Sequence, residues 1–175
     1  MTPDTLLRIR LTAAAAGDVP LILDFIRELA EYEQLGHEVV ATEEGLSAAL
    51  FGVDRIAYAV IAHVDGAAAG FALYFFSFST FLAKPGVYLE DLYVRPRWRR
   101  HGIGRRLMAF VAKVAVDRGC GRMEWSVLDW NELALGVYRG IGAQPQDQWT
   151  VQRLTGEALV SLAGDSPAAD RPSVH

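Results

Sequence analysis

YLEDLYVRPRWRRHGIGRRL, residues 88–107, is the stretch on which the fold turns. It opens as an apolar strand interrupted by two acids, Glu90 and Asp91. It then runs through Arg95, Arg97, Arg99, Arg100 and His101 to Gly102 and Gly104, with Arg105 and Arg106 behind them. Ile103, Leu107, Phe110, Val111 and Val114 follow at helical spacing. The helix stops at Gly119, and RMEWSVL (122–128) reads as the next strand. A strand, a helix and a second strand in this order predict a parallel crossover. The arginines crowd a helix N-terminus, where the dipole is already positive. Their placement asks for an anion.

Working outward, LLRIRLT (6–12) alternates as a strand. Asp18 and Pro20 open a helix whose apolar stripe is Leu21, Ile22, Phe25, Ile26 and Leu29, and whose far end is acidic through Glu33. Thr42 is placed to cap a short helix ending near Gly52. RIAYAVIAHV (55–64) and AAAGFALYFFSF (67–78), joined by Asp65-Gly66, are a hairpin, since Asp-Gly suits the tight primed turn. STFLAKPG (79–86) reads as a loop. Asn131 is a candidate cap for a helix through Tyr138, and WTVQRL (149–154) reads as a last strand with a short helix after it. The fold class expected is α/β (α+β): a mixed, mostly antiparallel central sheet with one parallel crossover, flanked by helices on both faces. One domain is expected over residues 1–163, with a disordered tail over 164–175, where no core-forming pattern occurs.

The 175 residues allow one real core, and a net charge of −4 makes the arginine cluster a local feature of an acidic molecule. General nucleic-acid binding is thereby disfavoured. One cysteine, Cys120, excludes an internal disulfide and fits a reducing compartment. No stretch approaches the roughly 18 apolar residues of a membrane span. MTPDTLLRIRL lacks the apolar core of a signal peptide. The expected location is cytoplasmic, away from membranes. The four histidines are scattered, so no metal site is expected.

Three phosphate-binding designs compete for the glycine stretch. A P-loop needs Lys-Ser or Lys-Thr after its last glycine, and Arg-Arg stands there. A dinucleotide fingerprint needs a third glycine and a strand directly before it, and both are missing. The third design is R-x-x-G-x-G, Arg99 to Gly104, in which glycines let backbone N–H groups turn toward a pyrophosphate. The motif alone leaves a Gly-rich turn with a solvated basic face equally open.

FIRELAEYE (25–33), FALYFF (71–76), YLEDLYV (88–94), RRHGIG (99–104), VLDWNELALGVYRGIGA (127–143) and Trp149, in this order, resemble the GNAT superfamily of N-acetyltransferases. Within it they are most similar to the spermidine/spermine (diamine) group, including its thialysine-acetylating branch. The resemblance covers roughly residues 6–162. It implies acetyl-CoA as co-substrate and no metal, with the pyrophosphate on Arg99, Arg100, His101, Gly102, Ile103, Gly104 and Arg105. The outer arginines would reach the adenosine 3′-phosphate. It implies that Leu92, Tyr93 and Val94 hold the acetyl carbonyl and the pantetheine arm, where the strand splays from its neighbour. Glu90 is the implied base, acting through water, and Asp91 the implied amine contact. Tyr138 is the implied general acid, and Asn131 has two compatible readings, helix cap and cofactor contact. On the substrate side stand Glu33, Asp91 and Trp149, the last a stacking partner for an alkylammonium chain. Ser79 and Phe81 occupy places where spermidine-selective relatives carry an acid and a tryptophan, which favours a smaller amine. The expected function is acetyl transfer to a primary amine of a small diamine-like or amino-acid-like substrate by direct attack, in a homodimer. The rival readings are a silent acyl-CoA-binding module and an acetyltransferase for a protein amine.

On a regular strand Glu90 and Asp91 point to opposite faces, so only one of them can line a given cleft unless the strand is bulged.

Overall fold

The computed structural model describes residues 7–166. Its contacts group into two units, one up to Leu135 and one from Gly136, and each is taken by itself. The tail expected over 164–175 falls mostly on residues 167–175, outside the described residues.

The first unit is a five-stranded sheet in sequential order: β1 (Ile9–Ala13), β2 (Tyr58–Val64), β3 (Ala67–Ser79), β4 (Lys84–Val94) and β5 (Met123–Trp125). The first three pairings are antiparallel, and β4 with β5 is parallel. Between β1 and β2 lie α1 (Val19–Tyr32) and α2 (Glu43–Phe51); between β4 and β5 lies α3 (Ile103–Asp117). The crossover read from residues 87–128 is therefore present. Asp65 and Gly66 both take positive φ, as the primed hairpin turn requires. Thr42 Oγ1 accepts from Gly45 N at 3.1 Å and caps α2. The Asp18 side chain instead accepts from Ala15 N at 2.8 Å, bracing a short 3₁₀ turn ahead of α1.

Alternation along the strands builds two buried faces. Ala59, Ile61, Phe71, Leu73 and Tyr93 pack with Ile22 and Phe25 of α1 and Leu50 of α2. The Phe25 and Phe71 rings stack at 5.2 Å. The intervening residues Val60, Ala62, Ala72 and Tyr74 are buried on the opposite face, the side of α3, whose stripe is Ile103, Leu107, Met108, Val111 and Ala115. Each large apolar side chain buried this way contributes roughly 2 kcal/mol, which fixes α3 and with it the Gly-rich turn at its start.

Two sequence expectations change. Half of the loop expected over 79–86 is strand: β3 pairs with β4 out to Ser79 and Lys84, and residues 80–83 form the turn. Ala83 takes φ 50°, and the buried Ser79 hydroxyl accepts from Leu82 N at 3.3 Å, closing the turn. The strand expected over 122–128 shortens to Met123–Trp125.

In the second unit, the latter part of α4 (Glu132–Gly140) is followed by an extended stretch and α5 (Gly156–Gly164). Residues 149–154 form no strand. Alternation alone does not make one; a ladder partner is needed, and none pairs with this segment among the described residues. Trp149 and Val151 are accordingly exposed.

Candidate active site

The strand carrying the two acids is bulged at the point that matters. Leu73 lies opposite Asp91 while Tyr74 lies opposite Leu89, so Glu90 is an extra residue with no register partner. A bulge re-aims side chains. Leu89 stays buried on the α3 side, Asp91 joins the face of Leu73 and Tyr93 toward α1, and Glu90 is exposed. The condition set for both acids to serve one site is met.

The parallel ladder to β5 ends at Leu89 opposite Trp125, immediately before the bulge. Beyond it, Arg95 N bonds to Ala69 O on the β3 side at 2.9 Å. Alternation then turns the N–H groups of Leu92 and Val94 to the other side, where β5 no longer pairs. These donors are available to a carbonyl laid along the strand.

Asp91 is a half-buried carboxylate with no ion-pair or hydrogen-bond partner among the described residues. Burial first, then the neighbouring charges of Glu90 and Glu33, push its pKa up to about 7. Burial raises Glu33 as well, at the C-terminal end of α1. Asp91 thus lies near the charges of Glu90 and Glu33 with no cation paired to it among the described residues, and an incoming ammonium would relieve it.

The basic stretch is organised differently. Arg95 is held inside: Nη2 donates to Glu28 Oε1 at 2.7 Å, Nη1 donates to Ala68 O at 3.1 Å, and the guanidinium lies 4.6 Å from the Phe25 ring centre. Arg99 Nε donates to Val94 O at 3.0 Å, and its guanidinium lies 4.4 Å from the Tyr32 ring centre and 5.7 Å from that of Tyr93. Arg97, Arg100, Arg105 and Arg106 are exposed. The backbone makes the cradle. Arg100 and Gly102 both take left-handed φ, 66° and 73°, and the first bond of α3 runs from Arg106 N to Gly102 O. The N–H groups of Ile103, Gly104 and Arg105 precede that bond, so they face outward with the positive end of the dipole. His101 Nδ1 lies 2.8 Å from Arg99 O and 3.3 Å from Trp98 O. Both partners accept, so this nitrogen carries the proton and pins the turn. A Cβ on Gly104 would meet only Val94 Cγ2, at an ordinary 3.9 Å. Among the described residues nothing else comes within 4 Å of that Cβ, so the room beside the N–H groups suits a phosphate.

Asn131 serves as the cap of α4: its Oδ1 accepts from Ala134 N at 3.2 Å and from the Tyr32 hydroxyl at 3.5 Å. Tyr138 is half-buried in α4 within the second unit, and Trp149 is exposed there. Ser79 and Phe81 are not brought to Asp91 within one chain. They sit at the turn end of the β3–β4 hairpin, seven residues along β4 from Asp91, or roughly 23 Å at strand rise. Sequence reasoning missed the Glu28–Arg95 pair and the Tyr32 contacts. The only signal was an aromatic and an acid on the helix that precedes the site.

Among the described residues no group of His, Cys, Asp or Glu could hold a metal ion, and no helix is long and apolar enough to cross a membrane. The family model described as Acetyltransferase (GNAT) family matches residues 24–143. A thialysine N-epsilon-acetyltransferase of Bos taurus is 41% identical over 162 residues, covering 86% of this chain and 95% of that protein. An L-ornithine N5-acetyltransferase of Arabidopsis thaliana is 35% identical, covering 87% of each. Among solved structures, an integron cassette protein from the mobile metagenome of V. cholerae superposes with a TM-score of 0.74 at 26% identity, covering 89% of this chain and 97% of that one. An aminoglycoside N-acetyltransferase solved in complex with CoA superposes at 0.68 and 18% identity, covering 88% and 99%. With the bulged acidic strand and the Gly-rich turn in place, and with the family model spanning more than half of its length, the chain belongs to the GNAT family of acetyltransferases.

Proposed function

We propose that the protein transfers the acetyl group of acetyl-CoA to the side-chain amine of a small amino-acid-like diamine. The observation that carries this reading is the pairing on one strand of opposite, unmet demands. Val94 leads into an anion cradle, and three residues earlier Asp91 lacks a cation. The names of the thialysine and ornithine relatives support a small substrate carrying both an amine and an amino-acid head.

In this reading the pyrophosphate rests on the backbone of residues 99–105, with Arg100 and Arg105 as exposed counter-charges. Leu92, Tyr93 and Val94 line the acyl arm, and the free N–H groups of Leu92 and Val94 stabilise charge developing on the carbonyl oxygen. Asp91 and Glu33 hold the ammonium. Glu90, turned to solvent by the bulge, accepts its proton through water. The amine nitrogen forms the new C–N bond, the C–S bond breaks, and the departing sulfur takes a proton from the Tyr138 hydroxyl. Asn131 contacts the cofactor while capping α4, and Trp149 stacks on the alkylammonium chain. The protein works as a cytoplasmic homodimer.

The test is a panel of amines assayed for CoA release: thialysine, ornithine, lysine, putrescine, spermidine and spermine. Thialysine or ornithine should be the best acceptor by kcat/KM. Spermine as the best acceptor would overturn the substrate assignment. Tyr138→Phe keeps the ring and should leave acetyl-CoA affinity unchanged by calorimetry, with turnover lowered on the order of 10²-fold. Full turnover in that variant would remove Tyr138 from the mechanism.

A further inference from the structure

Arg99 opens the glycine motif, so its charge invites a direct role on phosphate. Its side chain is already committed elsewhere. The guanidinium donates to Val94 O at 3.0 Å and lies over the Tyr32 ring at 4.4 Å, with the Tyr93 ring 5.7 Å away. The backbone of Arg99 is held too: its N–H donates to Pro96 O at 3.2 Å, and its carbonyl accepts from His101 Nδ1 at 2.8 Å. The next residue, Arg100, takes the left-handed φ that starts the cradle. Whatever fixes Arg99 therefore fixes the first N–H groups of the anion site.

Tyr32 is the platform for that fixation, and it reaches further. It is the last residue of α1 and the chain neighbour of Glu33. Its ring lies 6.0 Å from that of Trp130, and its hydroxyl lies 3.5 Å from Asn131 Oδ1, the atom that also caps α4. One aromatic side chain thus touches the Gly-rich turn on one side and the α4 cap on the other, and leads directly into an acid of the amine site. An arginine stacked on an aromatic face is held by ring electrostatics as well as by its hydrogen bond, and a lysine or glutamine there is not equivalent.

We propose that Tyr32 is a positioning residue for the acetyl-CoA site, holding the Arg99 guanidinium out of the anion's path so that the turn from Arg99 to Gly104 is set before the cofactor arrives. This rests on the acetyl-CoA reading above. Preorganisation of this kind shows in binding, because the turn no longer has to be ordered when the ligand arrives. It predicts coupling between two residues, neither of which contributes charge to the anion.

The experiment is a double-mutant cycle on acetyl-CoA affinity by calorimetry, with thermal unfolding of each variant alongside. Tyr32→Leu and Arg99→Gln should each weaken binding about tenfold, and the double variant should also lose about tenfold, well short of a hundredfold. Tyr32→Phe keeps the platform and should bind within about twofold of the parent. The dependence of affinity on salt should be unchanged in Arg99→Gln, since a residue that makes no phosphate contact releases no screened charge. Independent losses that multiply, or a flattened salt dependence in Arg99→Gln, would overturn the proposal and make Arg99 a direct phosphate ligand. If Tyr32→Leu fails to fold, the salt series on Arg99→Gln with the binding of Tyr32→Phe decides. A parent that binds no acetyl-CoA would overturn the cofactor reading itself, whereas a parent that binds with Tyr32→Leu unchanged would overturn this proposal alone.

Discussion

The two charged regions at the end of β4 treat their charge in opposite ways. In the basic stretch two arginines are used inside the protein, Arg95 on Glu28 and Phe25, Arg99 on Val94 and Tyr32. On the proposed reading the anion site is left to backbone N–H groups, which face water until a ligand comes and are aimed by the left-handed φ of Arg100 and Gly102. In the acidic region no ion pair forms at Glu33, Glu90 or Asp91 among the described residues. Burial disfavours the charge on Asp91 and on Glu33, and at Asp91 the neighbouring charges of Glu90 and Glu33 add to it. A backbone cradle is stable when empty; a cluster of carboxylates is not. On the proposed reading the first region would specify its ligand by shape, and the second by an electrostatic deficit at Asp91 that a cation removes.

The largest effect should come from placing charge in the cradle. Gly104 has room for a Cβ, so Gly104→Ala should fold and bind as the parent does. Gly104→Asp puts a carboxylate where the pyrophosphate would sit on the proposed reading, and like charges so placed cost several kcal/mol. Calorimetry should show acetyl-CoA affinity reduced on the order of 10³-fold, with thermal stability little changed. Equal affinity in Gly104→Asp and Gly104→Ala would remove the anion from this turn.

Next in size is Glu90. It is the bulged residue, exposed and beside the buried Asp91, so its chemistry and that of its neighbour separate cleanly. Glu90→Gln should lower the rate at neutral pH on the order of 10²-fold, with partial recovery at high pH as free amine accumulates. A pH–rate profile parallel to the parent's at full rate would leave the bulge with a structural role only.

How much of this contrast was legible in the sequence differs by element. The crossover, the Asp65-Gly66 turn and the α3 stripe followed from periodicity and turn chemistry, which are local. The bulge at Glu90 did not, because a strand with one extra residue looks like a strand; only the register against Leu73 and Tyr74 shows it. The hairpin tip was misread because Lys84-Pro85-Gly86 has loop composition, yet this segment pairs with residues 77–79 of β3. WTVQRL has strand alternation without a ladder, the reverse error. In the candidate site, residue identities came from spacing and resemblance. The long-range partners Glu28–Arg95 and Tyr32–Asn131, 67 and 99 residues apart, had no local signature.

A smaller and more diagnostic effect belongs to Asp91. Its folded pKa of about 7 stands above the ordinary 3.8, so the native protein holds a proton that the unfolded chain has released between those values. Stability contributed by this group is therefore present below pH 4 and is lost as pH rises to about 7, a change of at most a few kcal/mol. Asp91→Asn should raise the melting temperature at pH 8 and flatten its decline between pH 5 and 8. The same variant should raise the amine KM about tenfold. In the parent, amine affinity should fall as pH drops through about 7, because the neutral acid attracts no ammonium. A variant that loses both stability and amine affinity would mean that Asp91 is a satisfied core group, and the contrast between the regions would collapse.

The smallest effect tests the basic side of the comparison where it is quietest. Glu28 is the partner that keeps Arg95 inside, through contacts to both carboxylate oxygens at 2.7–3.1 Å. The pair is partly exposed, Arg95 by 23% and Glu28 by 34%, so solvent screens it. Glu28→Gln keeps the shape and one acceptor while removing the charge. It should destabilise by roughly 1 kcal/mol, visible as a small drop in melting temperature that narrows in high salt. Acetyl-CoA affinity should not improve, because Arg95 is held also by Ala68 O and by the Phe25 ring, and its loss of a carboxylate does not carry it into the cradle. If Glu28→Gln instead tightened acetyl-CoA binding, the freed guanidinium would be acting on phosphate. Side-chain charge, rather than backbone shape, would then be the limiting feature of the basic region.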